Sequence, residues 1–237
     1  MISLSINKKQ FSDLLNLYYG VFHPLKHFVN EKTFKSILFS KKLDKKFFPF
    51  PIYFGINKEN YHKLKNEKYL KINYKKKFLA IIKIKTFFKI ESNTFGKKNF
   101  GVEFRKHPYF KNYIKENFAF IDFKYSKVNE LNMKHENFVT PKNFKKKVKK
   151  CLKGKKFLAG FHTRNVPHTA HQWAHTYMLN KYKNILIQPL VGQYKKNEYR
   201  DEIIIKSNQI VTAMYKKNTS FYAPYFSYPR YGGPLEA

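Results

Sequence analysis

The fold is decided by the stretch of residues 161–171, which has the sequence FHTRNVPHTAH. It begins in the apolar pattern of a strand and ends in the pattern of a helix. Pro167 lies at the first turn of that helix, where a missing N–H costs nothing. The free backbone N–H groups and the dipole at such a helix start attract anions. We therefore predict a strand, an anion-binding loop and a helix, in this order.

The same alternation continues on the C-terminal side of this loop. We predict strands over residues 156–162 (short and buried), 184–190 and 220–226, and helices over residues 168–183 and 201–217. Strands and helices at this spacing predict parallel βαβ units. Ligands of such sheets bind at the carboxyl ends of the strands. The three loops at that edge are residues 163–167, 191–199 and 227–234.

The N-terminal part has a different organisation. We predict helices over residues 11–19 and 31–38 and strands over residues 50–56, 78–84 and 118–123. The lysine-rich residues 63–77 are expected to form solvated turns and strand edges. Thr140 followed by Pro141 is a capping residue and a first-turn proline, which predicts a helix extending to about Leu152. We place a mixed domain over residues 1–150 and a second domain over residues 151–237.

Composition limits the functions that the chain can have. With 48 Lys and Arg against 15 Asp and Glu, the formal net charge is +33, which is typical of proteins that bind nucleic acid. The lysines are nevertheless spread from Lys8 to Lys217, and arginine, which binds phosphate and guanine with two bonds, is scarce. We favour a bias toward AT-rich codons and expect no specific nucleic-acid partner.

The single cysteine, Cys151, excludes an internal disulfide and a cysteine-rich metal site. The first residues lack the apolar segment of a signal peptide. No apolar run reaches the ~20 residues that span a bilayer. We expect a cytoplasmic protein with no membrane partner.

The side chains of the first loop are suited to negative charge. Arg164 can hold an oxyanion with two parallel bonds, and Thr163 and Asn165 add neutral donors. His168 and His171 are three residues apart and share one helix face. No carboxylate is present to act as a base. The loop therefore suits transfer at phosphorus, where catalysis consists mostly of positioning and charge stabilisation.

A metal site built from His168, His171 and His175 ranks below phosphate binding, because catalytic zinc sites usually include an acidic ligand or a general base. We predict no protein-bound metal and expect His175 to be a surface or packed histidine. Trp173 and Tyr177 are expected to pack against the sheet as core rather than to form a base-stacking platform.

The other two loops carry weaker signals. Gly192 permits a tight turn in the second loop, and Lys195 or Lys196 can reach a phosphate from there. In the third loop, two glycines and Arg230 suit close approach to a ligand, with a plain turn as the alternative.

The three loops together resemble those of the ATP sulfurylases (sulfate adenylyltransferases). Residues 162–171 are similar to that family's Q-T-R-N-P-x-H-x-x-H, residues 188–195 to its H-P-L-V-G-x-x-K, and residues 229–237 to its M-R-Y-A-G-P-R-E-A. Nearer the N-terminus, GVFHPLKHF (20–28) and FPFPI (48–52) resemble G-A-F-S-P-L-x-G-F and W-P-I-P-I. The likeness covers the whole chain in the right order.

The resemblance implies a fold that is part α+β and part α/β. A PUA-like mixed β domain would precede an incomplete Rossmann-like nucleotidyltransferase domain with a parallel sheet. It also implies the reaction of ATP and sulfate, which gives adenosine 5′-phosphosulfate and pyrophosphate by direct attack on the α-phosphorus, with Mg²⁺ accompanying the nucleotide. The resemblance assigns catalytic roles to Thr163, Arg164 and Asn165, which would form the catalytic loop, and to His168 and His171, which would steady the phosphates. It assigns sulfate binding to His162 and Arg164. Nucleotide binding is assigned to His162, Thr163, Asn165, His168, His171 and Lys195.

Alternatives remain open at this point. His162 replaces the glutamine of the family, so the acceptor is sulfate or another anion. The family continues to a G-R-D-H-A-G loop that is not found before Ala237, and we expect a fragment or a degenerate copy that does not turn over by itself. A catalytically silent homologue that serves oligomer assembly is a further option, and the resemblance leaves a homo-oligomer open. An RNA-binding protein would need an arginine and aromatic face that the sequence does not reveal.

Overall fold

The computed structural model of the protein describes residues 1–136, 138–152, 157–192, 199–216 and 219–226. Two compact units are present, Met1–Met133 and Lys134–Tyr228. The predicted boundary at residue 150 lies inside a helix of the second unit. The segment before that helix is held to this unit, since the Val139 N–H donates to the carbonyl of Pro224 at 3.3 Å.

The first unit is a mixed sheet with helices. In chain order it contains β1 (Ile2–Ser5), α1 (Lys8–Tyr18), α2 (Glu31–Ser40), β2 (Lys42–Leu43), β3 (Lys46–Phe47), β4 (Gly55–Ile56), α3 (Lys58–Leu64), β5 (Tyr69–Tyr74), β6 (Lys77–Phe88), α4 (Ser92–Phe100), α5 (Pro108–Glu116) and β7 (Ala119–Val128). The main sheet has the order β1-β5-β6-β7-β4, with β1 parallel to β5 and the other pairs antiparallel. Strands β2 and β3 form a separate hairpin.

Asparagine caps explain where three of these helices begin. The side chains of Asn7, Asn30 and Asn57 each accept a hydrogen bond from a backbone N–H three residues further on, at the start of α1, α2 and α3. Such a bond satisfies a donor that the helix itself cannot pair. The two helices predicted over residues 11–19 and 31–38 are confirmed as α1 and α2.

Aromatic rings form the core of the first unit. Phe34 of α2 is fully buried, and its ring lies 5.0 Å from that of Phe120 and 6.0 Å from that of Phe95. The Phe95 ring in turn stacks on Tyr113 with the centroids 3.7 Å apart. These contacts join α2, α4 and α5 to strand β7.

Two predictions in this unit were wrong. Residues 50–56 form a strand only at β4, because Pro51 lacks the N–H that a ladder needs; the remaining residues of that run are nonetheless mostly buried. Residues 63–77 contain an interior strand rather than turns and strand edges, since β5 pairs with both β1 and β6. Its Leu70 and Ile72 are fully buried, while Lys71 between them points to the other face.

The second unit is a parallel α/β arrangement. In chain order it contains α6 (Pro141–Leu152), β8 (Ala159–Thr163), α7 (Thr169–Tyr182), β9 (Ile185–Val191), α8 (Asp201–Met214), β10 (Ser220–Tyr222) and β11 (Tyr225–Phe226). Strand β9 pairs in parallel with β8 on one side and with β10 and β11 on the other. The predicted parallel sheet is therefore confirmed, as is the start of α6, where the Thr140 hydroxyl accepts from the Asn143 N–H at 3.3 Å.

Two strand predictions in this unit need correction. The strand predicted over residues 220–226 is divided into β10 and β11 at Pro224, which has no N–H to donate. The strand expected to be buried near residue 160 is β8, in which only Thr163 is buried. Among the described strands β8 pairs with β9 alone, so it lies at an edge of the sheet and much of it is exposed.

The predicted burial of two aromatic residues in α7 was also wrong. Trp173 is 70% exposed and Tyr177 is 52% exposed. The buried face of α7 is instead the one that carries His175, which is fully buried. Trp173 lies two residues away from His175, a rotation of about 200° around the helix, and so faces the opposite side.

His175 is a core residue of the second unit. Its ring meets that of Phe161 edge to face at 4.3 Å, and its Nδ1 shares a 2.9 Å hydrogen bond with the Tyr215 hydroxyl. Burial, reinforced by the neighbouring His171, lowers the pKa of His175 to about 4. At neutral pH this histidine is therefore uncharged, as its apolar surroundings require.

Helices long and apolar enough to cross a bilayer do not occur in the parts of the chain that the structure describes.

Gly96 allows two phenylalanine rings to approach α4 closely. A Cβ at this position would lie 2.2 Å from an atom of the Phe104 ring and 2.7 Å from one of the Phe110 ring. We expect Gly96→Ala to lower the free energy of unfolding by about 1–3 kcal/mol, because overpacking outweighs the gain in helix propensity. Urea denaturation measures this. At Gly160 an added Cβ meets nothing within 4 Å, so Gly160→Ala is the control and should leave the urea midpoint unchanged.

The buried His175 should make the stability of the protein depend on pH. Its pKa is about 4 in the folded protein and about 6.5 when unfolded. The unfolded chain therefore binds the extra proton between these values. The contribution of His175 to stability is fully present above pH 6.5 and is lost as the pH falls through 4. The loss between pH 7 and pH 4 is about 3 kcal/mol.

Urea unfolding at pH 7 and pH 4 tests this. We expect His175→Gln to reduce the loss of stability on acidification by about this amount relative to the wild type. His62→Gln, which changes an exposed histidine of the first unit, should not alter the difference in unfolding free energy between pH 7 and pH 4. An unaltered difference in His175→Gln would contradict the assignment.

Candidate functional site

The first loop lies at the carboxyl end of β8, where it is positioned by the ladder with β9. In that ladder His162 lies opposite Gln188, and Thr163 lies opposite Pro189. Thr163 is buried, and its hydroxyl accepts a hydrogen bond from the Asn165 N–H at 3.1 Å. This bond turns the chain sharply after the strand. Arg164, within the turn, is half-buried, whereas Asn165 is exposed.

The loop ends at a helix start that has no side-chain cap. His168 is the N-cap residue of α7, with an extended backbone (φ −140°, ψ 177°), and its side chain makes no capping hydrogen bond. This contrasts with the asparagine caps of α1, α2 and α3. The N–H groups and the positive end of the helix dipole at α7 are thus directed toward the loop without a capping acceptor.

Two histidine rings stack beside this helix start. The rings of His168 and His171 are 3.9 Å apart and inclined by 25°. The Phe161 ring packs edge to face against the His171 ring, with the ring centroids 5.2 Å apart. Partial burial, and the nearby His168, lower the pKa of His171. The Nδ1 atom of His171 is buried and has no hydrogen-bond partner among the described residues.

His162 lies at the end of β8, beside the loop. Partial desolvation lowers the pKa of its imidazole, a hydrogen bond with Gln188 acts in the opposite direction, and the Arg164 guanidinium lowers it further. Because the net direction is downward, the ring is neutral near pH 7. A neutral imidazole provides one N–H donor and one acceptor nitrogen.

Helix α8 contributes a residue that the sequence analysis missed. The amide of Asn208 donates to the carbonyl of Asn165 at 3.1 Å and to that of Ile204, one helical turn back, at 2.8 Å. Asn208 is almost fully buried and holds the loop to α8. A signal existed in the sequence: Ile204, Asn208 and Thr212 are spaced by four and form the buried face of α8, so two polar residues occupy an apolar stripe.

The second loop begins with a turn that glycine allows. Gly192 has φ +117°, a conformation that other residues rarely adopt. Its N–H donates to the carboxylate of Asp201, the first residue of α8, at 3.1 Å. The predicted phosphate ligand Lys195, with the alternative Lys196, lies outside the described residues. So does the third loop, residues 227–234.

The structure thus brings several predicted site residues together at one edge of the sheet. Thr163 and Asn165 are joined by a hydrogen bond, with Arg164 between them along the chain, and the rings of His168 and His171 stack. Within the described ranges no three His, Cys, Asp or Glu side chains converge as ligands for a metal ion. The groups present are a guanidinium, imidazoles, a hydroxyl and backbone amides, which suit an oxyanion.

Comparison with known protein families identifies both parts of the chain. Residues 1–121 match the family described as a PUA-like domain. Residues 135–237 match the family described as ATP-sulfurylase.

Curated relatives extend over nearly the whole chain. The sulfate adenylyltransferase of Pyrococcus abyssi is 27% identical over 95% of this chain and 59% of its own length. That of Ignicoccus hospitalis is 25% identical over 100% of this chain and 62% of its own length. A shorter match, to the enzyme of Aeropyrum pernix, reaches 35% identity over 36% of this chain and 22% of the relative. The chain therefore spans about three fifths of the length of the first two relatives.

Among solved structures, the fold is similar to that of a hexameric APS kinase from Thiobacillus denitrificans. The TM-score is 0.70 at 14% identity, and the match covers 97% of this chain and 42% of that one. At this identity the likeness shows the fold alone. With a PUA-like domain followed by an ATP-sulfurylase domain, and with relatives that match in the same order, the chain belongs to the ATP sulfurylase family.

Proposed function

We propose that the protein is a nucleotidyltransferase that transfers the adenylyl group of ATP to sulfate. An oxygen of sulfate attacks the α-phosphorus, the bond from that phosphorus to the bridging oxygen of the β-phosphate breaks, and pyrophosphate leaves with the electron pair. Sulfate is already an anion at neutral pH and needs no base. The absence of a carboxylate from residues 161–171 is consistent with this reaction.

The observation that carries the proposal is the uncapped start of α7 beside Arg164 and the stacked histidines. A helix start of this kind supplies N–H donors and a partial positive charge of about half a unit. The phosphate chain of ATP is the ligand that matches these donors. Because the site is preorganised, little reorganisation is needed when charge develops on the leaving pyrophosphate.

Each side chain has a distinct role in this proposal. Arg164 holds the attacking sulfate with two parallel hydrogen bonds. Asn165, whose carbonyl accepts a hydrogen bond from the Asn208 amide, contacts the nucleotide. His168 and His171 donate hydrogen bonds to phosphate oxygens. The lowered pKa of His171 makes it a neutral donor, so the loop attracts phosphate without permanently holding pyrophosphate.

The nucleotide is expected to bring Mg²⁺ with it. Magnesium prefers oxygen ligands in an octahedral shell and is commonly held by substrate phosphates. The side chains of the loop are mainly nitrogen donors or cations, which do not suit this ion as ligands. The ion would therefore be carried by the phosphate oxygens, and its charge would assist the departure of pyrophosphate.

A second candidate is adenylyl transfer to a different anion. His162 supports it, because a neutral imidazole with only one N–H stands here where the family has a glutamine. A geometry with one donor does not by itself select tetrahedral sulfate. Pyrophosphate release should therefore be screened with sulfate, selenate and sugar phosphates as acceptors.

The function is tested in two steps. ATP binding to the chain is measured by calorimetry. Acceptor-dependent pyrophosphate release is then measured in a chimaera that adds the part of the Pyrococcus abyssi relative that the chain does not cover. Binding together with release that requires sulfate would support the proposal. If the chain binds no ATP and the chimaera releases no pyrophosphate above background with any acceptor, the proposal is wrong.

Arg164 should dominate the binding of the anionic substrates. We expect Arg164→Ala to weaken ATP and sulfate binding by about 10- to 100-fold, as expected for a charged hydrogen-bonding partner that is removed. Arg164→Lys should recover only part of this, because lysine cannot form the bidentate bond. Isothermal titration calorimetry measures the affinities of the variants for ATP and sulfate. Arg105→Ala removes an exposed arginine of the first unit and should change affinity by less than about twofold, as expected for an exposed charge that salt screens.

Asn208 should affect nucleotide binding without touching the nucleotide. We expect Asn208→Ala to free the Asn165 carbonyl and to weaken ATP binding several-fold, about 1 kcal/mol, with a comparable loss of stability. Ser207→Ala is the matched control, since within the described residues the Ser207 hydroxyl donates only to the Ile203 and Ile204 carbonyls of its own helix. Equal ATP affinities of the two variants would show that the link from α8 to the loop has no role.

A further inference from the structure

Helix α7 exposes an aromatic surface on the side opposite the histidines. Trp173, Tyr177 and Lys181 are spaced by four and form one exposed stripe, called the aromatic face below. It extends over about 12 Å of helix. Trp173 and Tyr177 are among the exposed large apolar side chains of the unit, although aromatic rings of this size are usually mostly buried.

The side chains of the aromatic face form an ordered stack. The Trp173 and Tyr177 rings are 5.8 Å apart and inclined by 11°. The ammonium of Lys181 lies 5.8 Å from the centre of the Tyr177 ring and 5.4 Å from that of Tyr182. The stack thus has a cation at one end and the exposed indole of Trp173 at the other.

The charge of the protein limits what can cover this face. A second copy of the chain would bring another net charge of +33 to it, and α7 has no Asp or Glu with which to compensate. An anionic partner is favoured instead. Lys181 and Lys183, the C-cap residue of α7, supply positive charge at the end of the stripe.

We propose that the aromatic face binds single-stranded nucleic acid, with a base stacked on Trp173 and the phosphates of the strand near Lys181 and Lys183. Unpaired bases are flat, and their sugar–phosphate chain is anionic, so one ligand matches both features of the face. Stacking platforms combined with lysines bind such strands with little sequence preference. The sequence alone reveals no arginine and aromatic face and predicts no specific nucleic-acid partner, whereas the binding proposed for this face is non-specific. It does not depend on the proposed adenylyl transfer.

The single tryptophan of the chain makes a direct test possible. The fluorescence of Trp173 is measured during titration with twelve-nucleotide oligo(U) and oligo(dT) in low salt. We expect both to quench it, because the base stacks on the indole, and we expect affinity to fall steeply with added salt. Heparin, an anion without bases, should bind without quenching. A response to only one of the two oligonucleotides would assign the face to RNA or to DNA.

Affinities of labelled oligonucleotides are then compared among variants by fluorescence anisotropy. We expect Trp173→Ala to bind the oligonucleotides about tenfold more weakly, which is the size of the effect expected for one base–aromatic stack. Phe157→Ala removes another exposed aromatic ring of the same unit and should bind as the wild type does. Arg164→Ala should also bind as the wild type does, which separates the aromatic face from the nucleotide site.

Three results would overturn the proposal. They are no binding of either oligonucleotide, binding without a change in Trp173 fluorescence, and equal affinities of the wild type and Trp173→Ala. Capture of an acidic protein that requires Trp173, with no response to oligonucleotides, would assign the face to a protein partner and likewise overturn it. Thermal unfolding of Trp173→Ala confirms that the variant is folded.

Discussion

The parallel pairing of β8 with β9 is the constraint on which the site depends. The ladder sets Thr163 against Pro189 and leaves the loop no freedom at its first residue. The Thr163 hydroxyl then fixes the Asn165 N–H, and Asn208 fixes the Asn165 carbonyl. Three separate elements thus hold one peptide segment. Side chains of a loop held in this way can be placed with the accuracy that positioning catalysis requires.

The histidines of α7 show how burial divides one residue type between two roles. His168 is exposed at the helix start, His171 is partly buried beside it, and His175 is fully buried one turn further along. The pKa values of the two buried members are both lowered, and that of His175 reaches about 4. The two lowered pKa values keep three positive charges from accumulating within two helical turns. The Tyr215 hydroxyl completes the arrangement by orienting the innermost ring.

The sequence predicted well the features that depend on local chemistry. The helix starts at Asn30 and Thr140 follow from capping, and the parallel sheet follows from the spacing of β8, α7 and β9. It predicted poorly what depends on neighbours distant in the chain. From its lysines, the segment that contains β5 is predicted to be solvated, but in the structure this strand pairs with β1 on one side and with β6 on the other. Asn208 was missed for the same reason, because its partner Asn165 lies 43 residues away.

The orientation of α7 is the most instructive of these failures. The pattern of the helix is ambiguous, because its aromatic and histidine residues occupy opposite sides and either side can be buried. Hydrophobicity alone favours burying Trp173 and Tyr177. The helix instead buries His175, whose ring packs edge to face on Phe161 and whose Nδ1 shares a hydrogen bond with the Tyr215 hydroxyl. These contacts set the rotation of α7, and the same rotation places the stacked rings of His168 and His171 beside the loop. The exposed aromatic rings follow from that choice, and they give the same helix a surface suited to a second ligand.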